Sequence, residues 1–400
     1  MTETMQQINL NQLDKSTWQK YRFEQIAKSI SERVDPNNTD LDVYIGLEHI
    51  DAESIHIKRT GTRDDVNGQK LRCYPGDVIF GRRRAYQRKA AIATVDGFCS
   101  AHSLVLRANA DVIDPKLFPF FLHSDAFMHR AIDISVGSLS PTINWGTLKN
   151  QEFLLPPKDQ QAKLAELLWA MDNVVEGYFE IKRKLEIISK SFSFAKFNNL
   201  RREAKANKLN YKLEDLVETS ICNGVFKTRE YFGNGSLLIN VTDIYQSFEV
   251  NPNTLERVEV SENEKTTFSA LQGDVIFNRS SLVKDGIGHA CLVPCYKESM
   301  VFECHLMRTR PNKDKIYPSY LCRYCLSPFG RNYLISRSQT TTMTTINQTA
   351  LNKMPVPVPK LEDQIKIANL FDGIDNASKH LDSKISTSNI LKGNLINLVF

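Results

Sequence analysis

Leu155-Pro156-Pro157-Lys158-Asp159-Gln160-Gln161 opens a stretch in which apolar residues recur at Leu164, Leu168, Met171, Val175, Tyr178, Ile181, Leu185, Ile188 and Phe192. The mean spacing is about 3.5 residues, the period of a helix that packs along another helix. Two prolines stop the preceding segment, and an acidic start suits the positive end of the helix dipole. A helix of about 40 residues rises roughly 60 Å, more than the width of a small domain. It therefore needs a partner outside a single globule. The chain supplies one near its end: Pro357-Val358-Pro359, then Glu362-Asp363-Gln364, then Ile367, Phe371, Ile374, Leu381, Ile385, Leu391 and Leu395. Two long helices that pair along these stripes are the frame of the molecule.

Working outward from the helices, the rest of the chain repeats itself. Tyr21-Arg22-Phe23-Glu24-Gln25-Ile26 matches Tyr211-Lys212-Leu213-Glu214-Asp215-Leu216, 190 positions later. Gly76-Asp77-Val78-Ile79-Phe80 returns unchanged as Gly273-Asp274-Val275-Ile276-Phe277, at an offset of 197. Beyond that the offset holds at 203, pairing His102 with His305, Arg107 with Arg310, Pro115 with Pro318, Thr142-Ile143-Asn144 with Thr345-Ile346-Asn347, Pro156 with Pro359 and Asp172 with Asp375. An offset that persists so far marks a duplication, and its growth places extra loop residues in the second copy. The boundaries that follow are 1–155 and 206–355 for two globular halves, with helices at 156–205 and 356–400. Strand-like runs at 42–50, 76–80 and 101–107 have counterparts at 237–244, 273–277 and 304–310. Helical segments are expected at 115–133 and 318–336, with proline in the first turn. The fold class is α+β: two similar, mostly-β domains separated by two long helices packed as an antiparallel coiled coil, related by a pseudo-two-fold axis.

Composition is that of a globular protein, 42% hydrophobic and 24% charged over 400 residues. No apolar run has the length of a membrane span, and Met1–Gln6 lacks the pattern of a signal peptide, so a cytoplasmic location is expected. A net charge of +5 permits nucleic acid binding without arguing for it. Eight cysteines in such a chain read as reduced thiols. Cys291, Cys295, Cys304, His305, Cys322 and Cys325 gather in the second half, but one C-x-x-C is a weak zinc signal. Under the repeat, Cys304, Cys322 and Cys325 fall on Ala101, Pro119 and Leu122, which points to core packing and to no metal. His102 and His305, each within an apolar strand-like run, read as core histidines.

The sequence contains no phosphate-binding P-loop, dinucleotide fingerprint, G-x-S-x-G elbow or H-E-x-x-H, and Asn251-Pro252-Asn253 falls short of an adenine-methylase signature. No catalytic residue is assigned. The loops offer cationic and hydroxyl-rich surface instead. Directly after the first Gly-Asp-Val-Ile-Phe come Arg82, Arg83, Arg84, Tyr86, Arg88 and Lys89; the second copy has Arg279, Ser280, Ser281 and Lys284 in that place. Guanidinium groups suit phosphates and the guanine edge. A second pair of loops precedes each proline stop: Ser138, Ser140, Thr142 and Asn144 in the first copy, and Arg337, Ser338, Gln339, Thr340, Thr341 and Asn347 in the second. Both lie in stretches free of carboxylates, where hydroxyls, amides and backbone N–H groups are good phosphate partners. Helix pairing is assigned to Leu164, Leu168, Met171, Val175, Tyr178, Leu185, Ile367, Phe371, Ile374, Leu381 and Ile385.

The duplicated G-D-V-I-F, the T-I-N ahead of a proline-bounded exit and the D-Q at the head of a long helix resemble the specificity subunit of type I restriction-modification systems, over essentially the whole chain. The resemblance implies two target-recognition domains, each reading half of a bipartite, asymmetric site in double-stranded DNA. It also implies helices that hold the domains apart and dock two methyltransferase subunits, with two restriction/translocase subunits in the full complex. S-adenosylmethionine then belongs to the methyltransferase partner and ATP with Mg to the motor, with no cofactor on this chain. Two rivals are a non-catalytic coiled-coil scaffold pairing proteins or RNA, and a detached zinc-dependent nuclease. A helix of roughly 60 Å suffices to separate half-sites one DNA turn, about 34 Å, apart. Deleting about one heptad from either helix is predicted to alter the gap between half-sites before it alters their sequences. A methylation-site survey that returns an unchanged gap removes this spacing role.

Overall fold

The computed structural model describes residues 15–340 and 342–400; Met1–Gln6 and Thr341, both used above, lie outside the described residues. The chain divides into two compact units, 1–180 with 382–400, and 181–381. Each is built around the same sheet. In the first unit, antiparallel strands run in the order Ala27–Ile30, Ser103–Ala108, Val78–Gly81, Ala90–Ile92. In the second, the order is Val217–Asn223, Leu306–Pro311, Val275–Asn278, Ala290–Leu292. Register repeats as well, since Ser103 faces Gly81 and Leu306 faces Asn278. A second sheet in each unit contains one parallel pair, Tyr44 with Phe98 and Leu237 with Met300. Each globular half is closed by a ribbon of its first and last strands: Gln19–Arg22 with Glu152–Leu155, and Asn210–Lys212 with Pro355–Pro357.

The identical Gly-Asp-Val-Ile-Phe now has a physical account. Gly76 and Gly273 both adopt φ +91°, a backbone region that side chains oppose. Asp77 and Asp274 are buried. Asp77 accepts from Tyr74 N (3.0 Å) and from Arg107 Nε and Nη2 (2.7 and 2.9 Å). Asp274 accepts from Leu271 N (2.8 Å) and from Arg310 Nε and Nη2 (2.9 and 2.8 Å). Val78, Ile79 and Phe80, like Val275, Ile276 and Phe277, are fully buried. A forked guanidinium pairing a buried carboxylate is geometrically exacting, so the pair resists change.

The helical segments are each split. Phe118–His123 and Asp125–Asp133 break at Ser124; Pro318–Leu326 and Pro328–Ser336 break at Ser327. Each serine is extended and caps the next helix, its hydroxyl accepting from Phe127 N and Gly330 N. In the first copy the helix begins at Phe118 and not at Pro115, because Pro119 takes the early-turn position there. Cys322 and Cys325 are buried in the apolar cluster of the second unit, as Cys291 is beneath its sheet.

The long helices are Lys158–Asn207, 50 residues, and Leu361–Val399, 39 residues. In each unit the opening part of one lies against the closing part of the other, an antiparallel pairing. In the first unit Leu164 and Leu168 share a core with Ile396 and Val399, and Lys392 Nζ reaches Asp172 at 3.2 Å. In the second, Phe371 packs on Phe192 and Phe197 at 5.0 and 5.9 Å between ring centres. Val175, Ile367 and Ile385 are buried as well, while Met171, Tyr178, Leu185, Ile374 and Leu381 are half-buried. The stripe is not buried throughout: Ile181, Ile188 and Leu391 are 52%, 58% and 54% exposed. A straight helix turns every 3.6 residues, so a 3.5-residue stripe drifts off the contact face. Among the described residues no helix is long and apolar enough to cross a membrane.

One buried amide seats each helix. Gln161 Oε1 accepts from Asp114 N (2.6 Å), and its Nε2 donates to Val112 O and Pro156 O (3.0 and 2.9 Å). Gln364 repeats this with Tyr317 N (2.7 Å), Lys315 O (3.3 Å) and Pro359 O (2.8 Å). Every one of these partners is offset by 203. Gln364→Ala leaves an amide N–H and two carbonyls without that partner, so urea unfolding should show a loss of about 2 to 3 kcal/mol. An unchanged midpoint and slope would mean that the amide does not seat the helix.

Candidate nucleic-acid interface

In the first unit the strand Val78–Gly81 runs out into the arginine-rich loop, and the loop ahead of the proline stop comes to lie beside it. Ile143 N donates to Arg82 O (2.9 Å) and Arg84 N to Pro141 O (2.8 Å), while Arg83 bridges Thr142. Val136 and Thr142 exchange backbone bonds of 3.0 and 2.9 Å, closing a small hairpin around Gly137. Ile143 is buried and anchors both loops. Arg83, Arg84, Tyr86, Ser138 and Asn144 are exposed; Arg82, Ser140 and Thr142 are half-buried. Leu139, at the hairpin tip, is 92% exposed.

Two cations of the cluster turn elsewhere. Arg88 donates to Asp125 Oδ1 and His123 O, both at 2.7 Å, and Lys89 Nζ to Leu47 O at 2.6 Å. The free cationic face is therefore narrower than the run of charges, centred on Arg82, Arg83 and Arg84.

The second unit builds the same junction with other side chains. Ile346 N donates to Arg279 O (3.0 Å), the counterpart of Ile143 and Arg82. Ser280–Ser281 pairs with Thr344–Thr345, which pairs in turn with Gln339–Thr340, giving a three-stranded ribbon. Gln339, Thr340, Lys284 and Arg337 are exposed, whereas Ser280 is buried and Ser281 and Ser338 are half-buried. Asn347 is exposed, but its Oδ1 accepts from Ala350 N (2.8 Å) and caps the helix Gln348–Asn352. Leu282 and Val283 are 84% and 65% exposed. With Tyr245, Asn278, His305 and Met343 they line a cavity of about 680 Å³ beside the ribbon. Its floor is fixed by Asn278 Nδ2 donating to Tyr245 Oη (2.6 Å) and Tyr245 Oη donating to Gly286 O (2.5 Å).

The histidines correct the sequence reading. His102 and His305 are exposed turn residues, not core residues. Ser103 N donates to Ser100 O and Leu306 N to Glu303 O, both at 3.0 Å, so a turn closes just before each strand and the histidine stands in it. His102 Nε2 lies 3.3 Å from Arg83 Nη1. Partial burial and the nearby Arg83, Arg82 and Lys70 hold its pKa below the ordinary imidazole value. The ring is thus neutral at pH 7, with one nitrogen accepting from Arg83 and the other free to donate. Neither histidine's exposure could be read from an apolar run that starts one residue later. Among the described residues, the one group with metal-ligand chemistry is Glu303, Cys304 and His305, whose donor atoms lie within 4.8 Å of one another.

Comparison with known proteins follows the same division. The type I restriction modification DNA specificity domain matches residues 15–186 and again 207–387. A putative type I restriction enzyme MjaX specificity subunit of Methanocaldococcus jannaschii is 26% identical over 194 residues, 47% of this chain and 44% of that protein. The type I restriction enzyme EcoDI specificity subunit of Escherichia coli is 26% identical over 166 residues, 40% of this chain and 37% of that one. The matches thus span less than half of these two relatives. The StySPI specificity subunit of Salmonella potsdam is 22% identical over 333 residues, 80% of this chain and 70% of its own. A solved chain from a type I R-M system superposes with a TM-score of 0.61 at 18% identity, covering 95% of this chain and 96% of that one. A type I restriction-modification S subunit from M. genitalium gives a TM-score of 0.52 at 13% identity, covering 97% of both. Two successive matches to one domain, on the two copies of one fold, establish that the chain belongs to the type I restriction-modification DNA specificity family.

Proposed function

We propose that this chain is the DNA sequence-recognition subunit of a type I restriction-modification complex, each globular half reading one half-site of a split, asymmetric target. The observation that carries the reading is the loop junction built twice on the same backbone bonds, Ile143 N to Arg82 O and Ile346 N to Arg279 O, with different side chains around each. Equal scaffolds with unequal surfaces are what two readers of unlike sequences require. In this reading two methyltransferase subunits dock on the long helices, whose exposed apolar residues include Val174 and Phe179 in the first unit and Ile187 and Ile188 in the second. S-adenosylmethionine chemistry sits on those subunits, ATP and Mg chemistry on two restriction/translocase subunits, and no catalytic step on this chain.

Two experiments test the reading. The chain assembled with its methyltransferase partner should retain a specific duplex in competition with random DNA; retention of protein partners alone, with no duplex preference, is the outcome that supports a scaffold instead. Replacing Arg82, Arg83 and Arg84 together by alanine should weaken duplex binding and lower the slope of log affinity against log salt by at least about one. A binding curve identical to that of the parent from low to moderate salt would remove this loop from the interface.

A further inference from the structure

Side chains that both copies keep at the loop junction differ in kind from those that vary. We infer that an arginine and histidine common to both copies, Arg82 with His102 and Arg279 with His305, contact the sugar-phosphate backbone, while the divergent side chains around them read bases. This rests on the DNA-recognition reading above and assigns roles within it.

Register brings each pair together. Gly81 faces Ser103 and Asn278 faces Leu306 at the ends of the paired strands, so the next residue outward on each side is Arg82 with His102, and Arg279 with His305. In the second unit Arg279 N donates to His305 O at 2.8 Å. Both histidines are exposed and both arginines half-buried. Arg82 Nε is buried without a partner, and Arg279 Nη1 makes a single long bond of 3.3 Å to Cys304 O. Arg82 Nε is covered and cannot itself meet DNA, so the donors these guanidinium groups keep for a phosphate are their terminal Nη groups. Of the other matched polar residues, Thr142 exchanges backbone bonds with Val136, Thr345 pairs with Ser280 and Gln339, and Asn347 caps a helix, whereas the side chain of its counterpart Asn144 is exposed and makes no such cap.

The divergent positions are of another kind. Where the two loops of the first copy carry Arg83, Arg84, Tyr86 and Leu139, the same two loops of the second carry Ser281, Leu282, Val283 and Met343, without matching residue for residue. Cations and an aromatic ring are replaced by a hydroxyl and apolar groups. Guanidinium groups match guanine O6 and N7, whereas exposed methyl groups match the thymine methyl. DNA offers one feature that is the same at every site, its phosphates, and contacts to it fix position without carrying sequence. A motif repeated in two readers of different sequences belongs to that feature.

The test uses the complex of the chain with its methyltransferase and a duplex carrying the bipartite motif that methylation mapping returns, beside duplexes with one base pair changed. Arg279→Ala and His305→Ala should each weaken all these duplexes by the same factor, roughly fivefold, leaving the methylated motif unchanged. Arg279→Ala should also lower the salt slope by about one, and Arg279→Lys should restore it. Leu282→Ala should instead change the discrimination between duplexes at constant salt slope. A changed motif in Arg279→Lys or His305→Ala, or no loss of affinity in either alanine variant, overturns the assignment while leaving the recognition reading intact. A parent complex that prefers no duplex overturns both.

Discussion

The buried amide at the head of each long helix is the constraint on which the rest of the architecture depends. Gln161 and Gln364 lie in the first turn of their helices, and each ties three backbone groups: one N–H and one carbonyl beside the helix pair of its globular half, and the carbonyl of the proline that precedes the helix. A buried amide that lost these partners would cost free energy with nothing gained in return. The start of each helix is thereby tied to its globular half by bonds independent of the contacts along the helix. The apolar stripe can then do the remaining work.

A second layer shows what duplication keeps and what it lets go. Asp172 and Asp375 occupy equivalent positions on the two helices. Asp172 is buried between His56 Nε2 (2.5 Å) and Lys392 Nζ (3.2 Å). Asp375 receives Arg323 Nη2 (2.6 Å), which also reaches Asp372 (2.8 Å). The carboxylate is held while its cationic partner changes type and origin, Lys392 in the first copy and Arg323 in the second, and Asp172 is buried where Asp375 is half-buried. The loop junctions follow the same rule, with a fixed backbone and free side chains. Side chains can diverge there without endangering the fold, since exposed substitutions in anchored loops cost little stability.

Much of this was legible in the sequence and the remainder has identifiable causes. The repeat, the long helices and the shared sheet strands follow from the offset and the proline stops, whereas the adjacency of the two loops rests on backbone bonds such as Ile143 N to Arg82 O, between residues too far apart for any local pattern to show. The split of each helical segment was missed because Ser124 and Ser327 act through backbone geometry that a hydroxyl alone does not announce. Arg88 and Lys89 looked continuous with Arg82 to Arg84, but their partners lie 37 and 42 residues away, beyond any local pattern. His102 and His305 looked internal because the turn ends one residue before the apolar run becomes a strand. The exposure of Ile181 and Ile188 reflects drift between helix pitch and stripe, which spacing alone does not resolve.

The central claim is that two independent readers share one chain. The most direct measurement is the map of methylated adenines in cells that carry this chain with its methyltransferase, before and after residues 210–357 are exchanged for the equivalent segment of another family member. The account predicts a bipartite motif in which one half is replaced and the other is retained. An undivided motif, or the loss of both halves together, would contradict it.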